Sequence, residues 1–149
     1  MNNEYKEVQI NGLIYIIHNE TSTAEIIGND YVCGDFFIPR SIIYESQCYI
    51  VKTILKNSFN KSQDIKRLYF PLDSELTKIE EYSFYDSSLQ SVSFPLHLIE
   101  IEDHAFGNCT LLHKIKFPSN CELQTIGVST FDECNIESLS IPTSLTKIC

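Results

Sequence analysis

The chain has 149 residues, 43% of them hydrophobic, and a formal net charge of −9, a length and apolar fraction suited to one domain with its own core. Such an acidic chain lacks the excess of Lys and Arg that a phosphate backbone demands, which excludes nucleic acid as a general partner. Its six cysteines contain no C-x-x-C pair and are too widely spaced for a zinc site or a compact disulfide framework, so a reduced compartment is the simpler expectation and no metal or cofactor is called for.

The N-terminal "MNNEYKEVQI" has no basic start followed by an apolar run. It does not read as a secretory signal, which points to the cytoplasm. No apolar stretch reaches the roughly 18 to 20 residues that a membrane span needs. Asn11-Gly12, set between the apolar alternations of "VQINGLIYII", predicts a type I′ hairpin. Next, "FFIP" places Phe36 and Ile38 before Pro39.

From residue 51 the chain falls into near-superimposable lines: 51 to 76, 77 to 98, 99 to 123 and 124 to 145, followed by "TKIC". Ile54, Ile79, Ile101 and Ile126 each stand five residues before a Phe, namely Phe59, Phe84, Phe106 and Phe131. Each line then has apolar residues six, three and one before a proline: Ile65, Leu68 and Phe70 before Pro71, and likewise before Pro95, Pro118 and Pro142. Leu76, Leu98, Leu123 and Leu145 precede the next Ile by three residues. With Pro39, all five prolines hold one repeat position.

A unit of this length encloses no core alone, whereas stacked copies bury a continuous apolar column. The expected fold is therefore an α/β repeat, a β-rich solenoid with one short parallel strand per coil and the right-handed connection usual for parallel strands. Proline ends each strand because it has no N–H to give. The Phe-centred pieces such as "EDHAFGNC" are too short for full helices and are expected to be single helical turns on the opposite side. The hairpin is expected to cap the first end of the column. This divides the chain into 1–48, a hairpin and capping region with the first repeat strand, and 49–149, about four repeats with the last incomplete.

The order Ile, four residues, Phe, then Leu-x-x-Ile-x-Phe/Ile-Pro resembles the BspA-type leucine-rich repeat over residues 49 to 149. "VQINGLIYII" and "FFIPRSIIYESQCYIVKTI" resemble the N-terminal part of such proteins. The resemblance implies a leucine-rich-repeat solenoid that binds proteins and is not an enzyme, often as an adhesin or surface antigen recognising host or extracellular-matrix proteins, and hence a place on the cell surface. The other reading is an intracellular scaffold or assembly subunit.

Strand alternation assigns the side chains four and two before each proline to solvent: Asp35 and Phe37, Arg67 and Tyr69, Ser91 and Ser93, Lys114 and Lys116, Ser138 and Ser140. Phe37, Arg67, Tyr69, Lys114 and Lys116 thus form a candidate protein-docking strip, basic and aromatic in an acidic chain. Ile136, Leu139, Ile141, Leu145 and Ile148 would lie at an uncapped C-terminal coil, a candidate surface for self-association as a homodimer. In "HLIEIEDH", His97, Glu100, Glu102 and His104 superficially suggest metal ligands, yet the register places them on an exposed bend. Cys109 and Cys134 take the position held by Ser62 and Ser87 in earlier coils, as small buried groups. No H-E-x-x-H, G-x-S-x-G or glycine-rich phosphate loop occurs. The same register predicts that Ile101→Asp unfolds neighbouring coils while Glu102→Lys is nearly silent.

Overall fold

The computed structural model describes residues 5–149; residues 1–4, which begin the expected capping region, lie outside the described residues. Thirteen strands form two sheets, and no helix occurs among the described residues. The chain winds as a β-solenoid of about five turns.

The first three strands are β1 (Tyr5–Ile10), β2 (Leu13–His18) and β3 (Thr23–Asn29), each antiparallel to the next. Asn11 (φ 50°) and Gly12 (φ 81°) make the β1–β2 turn. These two left-handed residues match the right-handed twist of the strands they join. A Cβ on Gly12 would also press on the Tyr31 carbonyl oxygen at 2.7 Å. The expected N-terminal cap is instead the outer part of the long sheet: β1 is its edge, and β3 pairs in parallel with β6 (Gln47–Ile54), on which β5 (Ser41–Tyr44) folds back antiparallel.

The repeats supply two strands per coil, not one. Four two-residue strands centred on the repeat Ile, β8 (Lys78–Ile79), β10 (Glu100–Ile101), β12 (Thr125–Ile126) and β13 (Lys147–Ile148), continue the long sheet in parallel from β6. The pre-proline segments form the short sheet, β4 (Gly34–Phe37), β7 (Ile65–Tyr69), β9 (Ser91–Ser93) and β11 (Lys114–Lys116), also in parallel register. An isolated bridge from Lys114 to Ser138 carries that ladder into the last coil.

The expected helical turns are replaced by a third ladder. Residues two before and two after each repeat Phe have positive φ: Asn57 and Lys61, Tyr82 and Asp86, His104 and Asn108, Ser129 and Glu133. Left-handed residues at this interval break a run of right-handed turns. The amide groups then alternate between partners. The N–H of Tyr85 donates within its own turn to Tyr82, whereas the N–H of Phe84 donates across to Ala105 in the next coil at 2.8 Å. Phe59 donates likewise to Ser83 and Phe106 to Thr130. A helix would spend every one of these donors internally, and stacking uses half of them to join coils.

Inside, the four repeat phenylalanines pile face on face. Ring centroids lie 4.8 Å apart for Phe59–Phe84, 5.0 Å for Phe84–Phe106 and 5.7 Å for Phe106–Phe131. The first three rings are fully buried and Phe131 is half-buried. Ile54, Ile79, Ile101, Leu68, Leu89, Leu112 and Leu123 complete the column with no exposed surface. At roughly 1.5 to 3 kcal/mol for each fully buried large apolar side chain, stacking the coils supplies the core that one coil lacks. The residue before each Phe is small, Ser58, Ser83, Ala105 or Thr130, and where it carries a hydroxyl that group turns back on the backbone. Ser58 Oγ donates to Leu55 O at 2.6 Å and Thr130 Oγ1 to Gly127 O at 2.8 Å, so these buried groups are satisfied.

Candidate functional site

The outward face of the short sheet is built by alternation alone. Phe36, Leu68, Val92 and Ile115 point into the column, so the residues on either side of each must point out. Strand register then lines up Asp35, Arg67, Ser91, Lys114 and Ser138 in one row, and Phe37, Tyr69, Ser93 and Lys116 in a second. Phe37, Arg67, Tyr69, Lys114 and Lys116 thus share one surface.

That surface is a trough. Ser91 and Ser93 of β9 form a low floor, with Arg67 and Tyr69 of β7 as one wall and Lys114 and Lys116 of β11 as the other, around a groove of about 470 Å³. At about 4.8 Å per strand the two walls stand roughly 10 Å apart. Phe37 lies flat on Tyr69, centroids 4.9 Å apart, and 63% of Phe37 is exposed. Arg67 Nη1 meets Asp35 Oδ2 at 3.2 Å, a half-exposed pair of the kind that contributes little to stability. Among the described residues no carboxylate pairs with Lys114 or Lys116.

Gln90 and His113 also line the trough. Both stand five residues before their proline, where strict alternation points inward; the strand only begins at the next residue, so the alternation signal does not reach them. The backbone there bends to let Gln90 O accept from the N–H of both His113 (3.1 Å) and Lys114 (3.3 Å).

The C-terminal set divides. Leu139, Ile141 and Ile148 are exposed at 39%, 57% and 60%, whereas Ile136 is half-buried and Leu145 packs against the column. Within this chain β13 has a partner on one side only.

The residues of "HLIEIEDH" disperse. His97 Nδ1 meets Glu122 at 3.1 Å, Glu100 and Glu102 reach Lys78 at 3.7 and 2.5 Å, and His104 stacks on Tyr82. Glu102 also accepts the Glu81 N–H at 3.2 Å, so it is tied twice to the preceding coil, and Glu102→Lys, expected to be nearly silent, would break both ties. All six cysteines are free thiols. Cys109 is fully buried, donates to Phe84 O at 3.0 Å and lies 3.3 Å from Ser87 Oγ; Cys134 donates to Phe106 O at 3.2 Å. The neighbouring Cys109 thiol, together with burial, pushes the Cys134 thiol up.

Stacked coils with a parallel ladder along one exposed face define a leucine-rich-repeat solenoid, a fold that generally serves as a protein-interaction module. The BspA type leucine rich repeat region model matches residues 39–149 in six copies, and the chain belongs to that family. Among solved structures, a leucine-rich repeat protein from Bacteroides ovatus superposes with a TM-score of 0.81 at 23% identity, covering 95% of this chain and 36% of that one. The T. pallidum leucine-rich repeat protein TpLRR gives 0.81 at 23% identity over 96% of this chain and 64% of that one. The pneumococcal vaccine antigen PcpA gives 0.67 at 22% identity over 96% and 45%. The chain therefore spans between about a third and two thirds of these structures. No curated protein matches the sequence. At such identities the structural likeness establishes the fold.

Proposed function

We propose that this protein is a binding module that presents the outward face of its short sheet, through Phe37, Arg67, Tyr69, Lys114 and Lys116, to a protein partner, as an adhesin or surface antigen engaging a host or extracellular-matrix protein. The observation that carries this reading is the trough over β9, where exposed aromatic and cationic side chains converge on a rigid sheet without meeting a carboxylate at Lys114 or Lys116. Aromatic and Arg side chains are the groups enriched where binding energy concentrates. The likeness to a pneumococcal vaccine antigen adds the surface role by analogy. The test measures binding to a panel of purified matrix proteins and to intact host cells, comparing the wild type with a Tyr69→Ala/Lys114→Glu/Lys116→Glu variant and with Glu133→Lys on the turn side. Loss confined to the first variant is expected; equal binding by all three removes the reading.

The exposed Leu139, Ile141 and Ile148 favour a second reading, assembly of an intracellular scaffold or homodimer through the C-terminal coil. Sedimentation at increasing concentration decides it. A dimer abolished by Ile141→Glu supports assembly, and a monomer throughout removes it.

A further inference from the structure

We propose that the trough over β9 takes an extended acidic segment of the partner protein in which carboxylates occupy alternate positions, Asp/Glu-x-Asp/Glu, laid along the strand direction beside Lys114 and Lys116. This rests on the reading that the sheet face is the docking surface, and adds the chemistry of what docks.

Recognition here has to run through side chains. The backbone of β9 is paired on both sides, Ser91 to Arg67 and to Lys114, Val92 to Leu68 and to Ile115, so the floor offers a guest no unpaired edge. What faces the guest is rich in donors: two ammonium groups on one wall, two serine hydroxyls on the floor and the Gln90 amide at the end. Among the described residues, four of the seven other lysines meet carboxylates, while Lys61, Lys66 and Lys147 stand apart from one another without one. Lys6 meets Glu45, Lys52 meets Glu75, Lys56 meets Glu81, and Lys78 meets Glu100 and Glu102. Lys114 and Lys116 have no such neighbour among the described residues, although the chain holds 20 acids against 11 Lys and Arg. Acidic guests are repelled by most of this surface and attracted at this strip, which selects position as well as charge.

Geometry sets the pattern within the guest. Lys114 and Lys116 are alternate residues of one strand, and same-side residues of an extended chain repeat at about 7 Å. Two carboxylates separated by one residue on an extended guest repeat at the same interval. Walls roughly 10 Å apart admit one extended chain between them, and the floor hydroxyls of Ser91 and Ser93 lie where its own N–H and C=O groups need partners. A long polyanion such as a sulfated glycan fits less well. Arg67 is already held by Asp35 at 3.2 Å, and that carboxylate repels dense negative charge at the opposite wall. The ring of Tyr69, with one face covered by Phe37, is left for an apolar side chain of the guest.

The experiment is fluorescence anisotropy on the full chain with four labelled probes: a peptide alternating Glu and Ser, its isomer with the Glu residues contiguous, a Lys-Ser peptide, and a heparin oligosaccharide. The alternating peptide is expected to bind, at least about threefold more tightly than its contiguous isomer, and to weaken at least about tenfold both with Lys114→Glu/Lys116→Glu and between about 0.05 and 0.5 M salt. The Lys-Ser peptide is expected not to bind. Circular dichroism and thermal unfolding of the variant, whose changes are both on exposed side chains, confirm that it folds. Equal binding of the two isomers, or tighter binding of heparin, overturns the proposal in favour of a general anion surface. Failure of every acidic peptide, while binding to a matrix protein or host cell still depends on Lys114 and Lys116, overturns the partner chemistry and leaves the docking face standing. If neither kind of binding responds to the two lysines, the docking reading falls as well.

Discussion

Truncating Phe84 tests the stacked column where it is most continuous. The ring has no exposed surface and is covered on both faces, by Phe59 at 4.8 Å with the planes 2° apart and by Phe106 at 5.0 Å with the planes 4° apart. Phe84→Ala leaves a cavity between two coils and is expected to cost about 3 to 5 kcal/mol from burial and cavity formation. Losing two ring contacts, each worth about 0.5 to 1.5 kcal/mol beyond area, places the expectation in the upper half of that range. Phe131 is half-buried and touches one ring of the column, at 5.7 Å, so Phe131→Ala should cost about 2 kcal/mol. The assay is equilibrium urea unfolding of the two variants with the slope checked for constancy. A domain at the lower end of the usual range of about 5 to 15 kcal/mol scarcely survives the larger loss; Phe84→Leu, which removes both ring contacts and keeps most of the volume, is then read at about 1 to 3 kcal/mol. If Phe131→Ala costs as much as Phe84→Ala, the rings do not act as a column and the reasoning is wrong.

Ile101→Asp should abolish cooperative unfolding in the coils around it, since it places a carboxylate in a site with no exposed surface, while Leu72→Asp, at a side chain 99% exposed, should leave the urea midpoint unchanged. Ser129 has φ 50°, so Ser129→Val is expected to cost about 1 to 2 kcal/mol and Ser129→Gly to be neutral or stabilising in thermal melts; the reverse order would mean that the turn ladder is misdrawn. Burial pushes the Tyr15 hydroxyl well above the usual phenol range. Its folded form keeps the proton that the unfolded chain gives up, so this contribution to stability is intact below about pH 10 and declines above it, by up to about 1.4 kcal/mol per pH unit. Tyr15→Phe should flatten the alkaline fall seen by urea unfolding, and an unaltered slope would show that Tyr15 is not so enclosed.

The pre-proline strands were legible because each keeps a strict alternation, Leu68 or Val92 inward and its neighbours outward, ended by proline, and this places every residue of the proposed docking strip on one face. The hairpin was legible from Asn11-Gly12. The second parallel strand of each coil was not, because Lys78–Ile79 or Thr125–Ile126 is two residues long and carries no periodicity. Nor was the turn ladder, since its left-handed positions include Lys61, Tyr82, Ser129 and Glu133, residues that sequence does not associate with that conformation. They are held there by coil-to-coil hydrogen bonds. Stacking also hides ion pairs from the sequence: Lys52 and Arg40 converge on Glu75 from 23 and 35 residues away, as Lys78 does on Glu102 in the next coil, which is why a residue on an apparently idle bend turns out to be engaged.

Native-state hydrogen exchange reads the central claim, that successive coils are joined by the turn ladder as well as by the two sheets, one amide at a time. The N–H groups of Phe59, Phe84 and Phe106 donate to the next coil at 2.7, 2.8 and 3.0 Å, and they are expected to exchange as slowly as those of Leu68 and Val92 in the short sheet, through global unfolding. Exchange of those three amides at the rates of exposed turns, with Leu68 and Val92 still protected, would contradict it.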